Sequence, residues 1–298
     1  MNHRTLVFDL HCDTPLNIYK HKFVHIKPDI LHKQGYLGAV FAHFIKPNAK
    51  YPFLDAIKLI SSTITYINRK KNLSIIYSHG MLDSKKVNIV LGVEGGHIFD
   101  SSFKQIEMLY DLGVRVLTIT WNNSNRLAHS AQEADKKGLT RKGKEYIKEL
   151  ANYDIIIDLS HASTRTVLDV CDLCINQVIA SHSCVRMLNK KFLRNIDDRA
   201  IKAIAKRNGV VGINFSRYHL GGHNIIDHIS YLKDKFGLQI IGIGSDFDGI
   251  NDAVISGPRK VRGLEEKLLS KGYKRKELDE IFYKNFLKIF RKSSIRTA

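Results

Sequence analysis

The chain has 298 residues, 44% of them hydrophobic and 26% charged, which excludes a disordered or fibrous protein and leaves enough apolar material for a full core. That length suits one α/β barrel, so a single domain over residues 1–298 is expected. Lys plus Arg number 47 against 29 for Asp plus Glu, a formal charge of +18, but the basic residues are scattered; the nearest approach to a stripe is Lys284, Lys288, Arg291, Lys292 and Arg296, and neither nucleic acid nor a membrane is the expected partner.

The first apolar run is too short for a secretory leader, and no later run approaches the ~18 apolar residues of a membrane span. Four cysteines cannot form a disulfide framework for a chain of this size, so a cytoplasmic location is expected. Eight β-type runs follow one another: Thr5–Leu10, Leu37–His43, Ile89–Val93, Val114–Thr120, Asp154–Leu159, Gln177–Ala180, Gly209–Asn214 and Gln239–Gly244. Most are continuous apolar stretches, as in strands covered on both faces by helices.

Amphipathic patterns lie between them at Leu54–Tyr66, Phe103–Leu112, Gly143–Asn152, Ser163–Leu173 and Asp197–Lys206, the last with Asp197 or Asp198 as N-cap. The runs start about 33 residues apart on average, the length of one strand, one helix and two loops of a (β/α)8 TIM barrel. The widest gap, residues 37 to 89, is the expected place for an insertion. Beyond the eighth run, Leu278, Phe282, Phe286 and Ile289 recur at helical spacing and predict a C-terminal helix covering one end of the barrel.

Six ionisable residues fall at the C-terminal ends of these runs. His11 and Asp13 follow the first, Glu94 the third, His161 the fifth, His182 the sixth and Asp246 the eighth. In a parallel barrel those ends converge on the face that holds active sites, so residues far apart in sequence meet there. Three imidazoles with carboxylates make a nitrogen and oxygen donor set for zinc, manganese or iron.

That set is too large for one open catalytic zinc and sufficient for two cations sharing a carboxylate. Glu94 is the expected bridge, with His11 and Asp13 on one side and His161 and His182 on the other. Such a pair would activate a water between them for hydrolysis. Asp158 either orients a ligand histidine or joins a local hydrogen-bond network, and both readings stand. His43 and His97 lie near strand ends as outlying candidates. His219 is placed with the surface and loop histidines. Cys171 and Cys174, with no second pair, are a weak metal signal, and no phosphate loop or Gly-x-Ser-x-Gly elbow is present.

The motifs Asp9-Leu10-His11-Cys12-Asp13-Thr14, Gly92-Val93-Glu94-Gly95-Gly96, Leu117-Thr118-Ile119-Thr120, Asp158-Leu159-Ser160-His161, Ser181-His182-Ser183, Arg194-Asn195 and Gly244-Ser245-Asp246-Phe247-Asp248-Gly249 occur in order from about residue 5 to 291. Through them the chain resembles the membrane (renal) dipeptidase family, peptidase family M19, amidohydrolase-like zinc peptidases. The resemblance implies two Zn2+ held by His11, Asp13, bridging Glu94, His161 and His182, with Asp246 as the catalytic acid/base and Arg194 on the substrate's free carboxylate. Trp121 stands where mammalian-type members carry a histidine, and Ser216 where they carry a tyrosine; both are expected beside the substrate.

The expected activity is hydrolysis of dipeptides, with a small peptide as partner and a homodimer left open. The rival readings are a related amidohydrolase acting on a non-standard dipeptide or another amide, and a basic nucleic-acid-binding protein on an inactive barrel. A deaminase or phosphoesterase barrel usually opens with His-x-His, and this chain has His-x-Asp.

Overall fold

The structure, a computed structural model, describes residues 5–100 and 102–290, so Arg291, Lys292 and Arg296 of the basic stripe lie outside the described residues. Nine strands follow in chain order: β1 (Val7–Cys12), β2 (Tyr36–Phe44), β3 (Leu73–Ile75), β4 (Val87–Glu94), β5 (Val114–Thr118), β6 (Ile156–Asp158), β7 (Val178–Ser183), β8 (Val210–Ile213) and β9 (Ile241–Ile243). Every pairing between them is parallel, and the order β1-β2-β4-β5-β6-β7-β8-β9 returns to β1, closing an eight-stranded barrel surrounded by helices.

The eight expected runs are these eight staves. The ninth strand, β3, lies in the gap where an insertion was expected. β5 pairs with β4 only from Leu91 onward, and β3 fills the same edge lower down, opposite Val87–Ile89. Three residues are too few for alternation to announce a strand.

Two apolar layers hold the barrel. Ile89, Leu91 and Val93 of β4 face outward into the layer shared with the helices, whereas Val90 faces inward. Of the two cap candidates Asp197 and Asp198, it is Asp197 that accepts from the Ala200 N–H, at 2.9 Å, and Ser163 caps its own helix by accepting from the Thr166 N–H. The C-terminal segment runs as helix from Arg275 to Ile289 with one wide π turn at Glu280–Lys284. It brings Phe286, Leu287, Ile289 and Phe290 into contact with the interior residues Phe8, Leu10, Leu37 and Val90, and the Phe286 ring lies 4.9 Å from that of Phe8. The helix thus seals the N-terminal floor of the barrel and leaves the other end open.

Two departures from regular pairing position the open end. On β1, Phe8 and Leu10 point inward while Cys12 points outward. Between Asp9 and Cys12 the strand gains one residue on β2, and this bulge turns His11 toward the interior. β7 slips in the same way against β8 between Ala180 and Ser183, around His182. His161, Asp246 and Asp248 have φ of 66°, 61° and 69°, left-handed conformations that non-glycine residues rarely adopt and that concentrate at functional sites.

Candidate metal centre and substrate cavity

At the open end a cavity of about 190 Å3 is lined by Asp13, Phe44, Glu94, Trp121, Asn122, Gln132, His161, His182, Phe192, Arg194, His219, Asp246, Gly249 and Ile250. His11 lies just beneath, its Nε2 at 3.6 Å from Asp13 Oδ2 and 3.7 Å from Glu94 Oε1. The same Glu94 oxygen is 3.0 Å from His161 Nε2 and 3.4 Å from His182 Nε2. Donor atoms of Glu94, His161 and His182 lie within 4.8 Å of one another, as do those of His11, Asp13 and Asp246. Gly249 is obligatory beside them, because a Cβ there would collide with carboxylate oxygens of Asp13 and Asp246.

The polar atoms of this cluster are short of partners. His11 Nε2 and Glu94 Oε1 are buried without a hydrogen bond. His161 donates from Nδ1 to Asn122 Oδ1 at 2.8 Å, so its neutral ring turns a lone pair from Nε2 toward the Glu94 oxygen. Acceptor facing acceptor is the arrangement that a bound cation resolves.

Burial and crowding shift the protonation of Asp246, Glu94, His11, His161 and His182. Asp246 is pushed up to about 7 by burial and by Asp13, against the pull of His11, its Asn214 hydrogen bond and Arg194. Burial, with Asp13, Asp246 and Asp158 nearby, also pushes Glu94 well above the usual carboxylate range, although His11 opposes it. For His11, burial favours the neutral ring, yet Glu94, Asp13 and Asp246 prevail and raise it to about 10. His161 and His182 go the other way, held neutral by burial and by the positive charges of Arg194 and His11. A buried excess of carboxylate thus retains one positive charge on His11, a charge that a metal ion would replace.

Arg194 is 3% exposed, and burial lowers it to about 10 although Asp246, Glu94 and Asp158 oppose the shift. Its Nη2 donates to the His182 carbonyl at 3.0 Å, while Nε and Nη1 have no hydrogen-bond partner. The Trp121 ring is tilted against Phe44 with centroids 4.9 Å apart and stands 6.2 Å from His161, forming the aromatic wall.

Ser216, expected beside the substrate, is not brought to the cavity. Its hydroxyl donates to Asp252 Oδ2 at 2.8 Å and fastens the loop after β8 to the loop after β9. His43 is also elsewhere: buried outside the barrel wall, it bonds Gly92 O and Thr63. His97 bonds the Ile45 carbonyl, and Cys171 and Cys174 are buried free thiols behind the barrel.

His219 was placed among the loop histidines, yet it lines the cavity against Phe192, with ring centroids 4.8 Å apart. It sits one helical turn after Ser216, on the short helix Arg217–Leu220, where no strand end marked it. Asn122, Gln132, Phe44 and Phe192 likewise carried no pattern that pointed to the mouth.

The sequence profile of the membrane dipeptidase family, peptidase family M19, matches residues 1–297. Dipeptidase 3 of Mus musculus is 32% identical over 285 residues, which is 87% of this chain and 56% of that protein; Dipeptidase 3 of Homo sapiens is 30% identical, with 85% and 56% covered. The chain therefore spans a little over half the length of these curated relatives. Among solved structures, a metallo peptidase from Rhodobacter sphaeroides, liganded with a phosphinate mimic of the dipeptide L-Ala-D-Ala, superimposes with a TM-score of 0.87 over 96% of this chain and 99% of that one. At 20% identity that likeness concerns the fold.

Proposed function

The chain belongs to the membrane dipeptidase family, and from that premise we propose that it is a metal-dependent dipeptidase using two divalent cations, zinc foremost, with manganese or iron compatible with the same donors. The supporting observation is the convergence of donor atoms of His11, Asp13, Glu94, His161 and His182, with His11 Nε2 and Glu94 Oε1 unpartnered, beside a cavity that also holds Asp246 and Arg194. His11 and Asp13 would hold one cation, His161 and His182 the other, and Glu94 both. The unpaired His11 Nε2 and Glu94 Oε1 fit that role. When bound, such ions supply Lewis acidity, favouring deprotonation of water near neutral pH and polarising a carbonyl.

The chain's own groups supply the rest. Arg194 pairs with the free carboxylate of the substrate, which limits cleavage to bonds one residue from that end. Trp121 and Phe44 pack against a substrate side chain. Asp246 has one oxygen fixed by Asn214 Nδ2 at 2.8 Å, which leaves the other to take a proton from the attacking water and return it to the leaving amine.

The test is a dipeptide-library hydrolysis screen on purified protein, with metal analysis of the same sample. Cleavage lost on chelation and restored by divalent cation, at two ions per chain, is the expected result. A fully metallated protein that cleaves no dipeptide overturns the reading.

A further inference from the structure

Asp158 ends β6, fully buried, and does not line the cavity. Its Oδ1 receives the backbone N–H groups of Ser181 at 2.8 Å and Ser160 at 3.0 Å. Its Oδ2 receives the hydroxyls of Ser181 and Thr118, both at 2.6 Å. Four donors fill a carboxylate's acceptor sites, so Asp158 has nothing left for a cation although its oxygen lies within 4.8 Å of His11 and His182 donor atoms.

The consequence falls on Ser181. A hydroxyl has one hydrogen, and that of Ser181 is committed to Asp158. Its oxygen keeps two lone pairs, and two ring nitrogens approach it: His182 Nδ1 at 2.8 Å and His11 Nδ1 at 3.1 Å. The remaining neighbour, Ser160 Oγ, accepts the His182 backbone N–H at 3.1 Å and stands farther off at 3.3 Å; it changes nothing for the rings, since Ser181 has no second hydrogen to give them. Both rings must therefore bring an N–H to Ser181; the neutral His182 ring then presents a bare Nε2 on its far side, and His11 does so once a cation replaces its positive charge.

We propose that Ser181, aligned by Asp158, is a positioning residue that fixes the tautomers of His11 and His182 together, one hydroxyl setting two ligands from two different strands. His161 is set independently by Asn122. The inference rests on the reading that Nε2 of His11 and His182 faces the cations. It also assigns roles to the Asp158 and Ser181 side chains that touching neither metal nor substrate would otherwise conceal.

Two variants and two readouts test it. Ser181→Ala removes the shared acceptor. Asp158→Asn is nearly isosteric: its amide oxygen can keep the two backbone N–H groups, and its NH2 then donates to Ser181. The hydroxyl hydrogen must swing toward one imidazole, and that ring has to carry its own hydrogen on Nε2.

In wild-type protein without metal at pH 8, 15N NMR of the His182 ring is expected to show hydrogen on Nδ1 and a bare Nε2. Ser181→Ala should show mixed tautomers. Zn2+ affinity, measured by chelator competition, should fall 10–100-fold in both variants, with cooperative thermal unfolding retained. Hydrogen on Nε2 of wild-type His182, or wild-type Zn2+ affinity in both variants, overturns the proposal. If one variant does not fold, the other and the wild-type spectrum decide. A wild-type chain that takes none of Zn2+, Mn2+ or Fe2+ removes the dipeptidase reading, and the ring spectrum still decides the tautomer.

Discussion

The floor and the mouth of the barrel are built on the same strands and are almost equally buried, yet burial has opposite consequences at the two ends. On β1, Phe8 and Leu10 are at most 1% exposed at the floor, and His11 is 1% exposed at the mouth. At the floor, each Å2 of apolar surface removed from water contributes about 25 cal/mol, and Phe286 and Phe290 complete the packing. At the mouth the buried groups are charged or lone-pair bearing, and the same dryness shifts their pKa values and leaves donors and acceptors unsatisfied. Stability resides at one end and chemistry at the other, in keeping with strain and unpaired polarity being tolerated where a ligand will satisfy them.

Substitutions at each end should separate these roles. The largest effect is expected from Glu94→Ala or His182→Ala, which should abolish dipeptide hydrolysis and lower bound metal while the far-UV spectrum and cooperative unfolding persist; full activity in either would dissolve the contrast. Phe286→Ala should do the reverse. It removes a ring that is 1% exposed and should cost about 3–5 kcal/mol in denaturant unfolding, with metal content unchanged.

Arg194→Ala should raise KM for free dipeptides about a hundredfold and hardly change it for C-terminally amidated ones, because only the former offer a carboxylate. Steady-state kinetics on matched pairs check this, and equal effects on both would remove Arg194 from substrate binding.

The smallest effect concerns His43, buried away from either end and held down to about 4 by burial against an ordinary 6.5. Between those values the unfolded chain binds a proton that the folded one refuses, so stability is intact above pH 6.5 and falls as pH drops toward 4. The loss is at most ~3 kcal/mol. Urea unfolding at pH 6.5 and 4.5 should show a shallower fall for His43→Gln than for wild type; parallel curves would show that His43 does not titrate in this window.

The sequence carried the barrel because each stave is an apolar run long enough to register and the helices between them have their own periodicity, some with a side-chain cap, as at Ser163 and Asp197. It carried the candidate metal cluster because His11, Asp13, Glu94, His161, His182 and Asp246, which the structure brings together at the barrel mouth, follow such runs directly. His219 and Asn122 were not legible, since their loops bend back over the mouth with no local pattern to show it. Ser216 was placed beside the substrate by the family resemblance, and its hydroxyl is instead engaged by Asp252.

Pattern and composition determined the number of staves, their parallel direction and which residues stand at their ends, because these depend on local periodicity and on the convergence that any parallel barrel imposes. Tertiary structure alone decided the direction of the side chains. The bulges in β1 and β7 that turn His11 and His182 inward arise from pairing with β2 and β8. The single Ser181 hydroxyl shared between those two rings exists only when strands 170 residues apart lie side by side, since hydrogen-bond geometry depends on distance in space and not on distance along the chain.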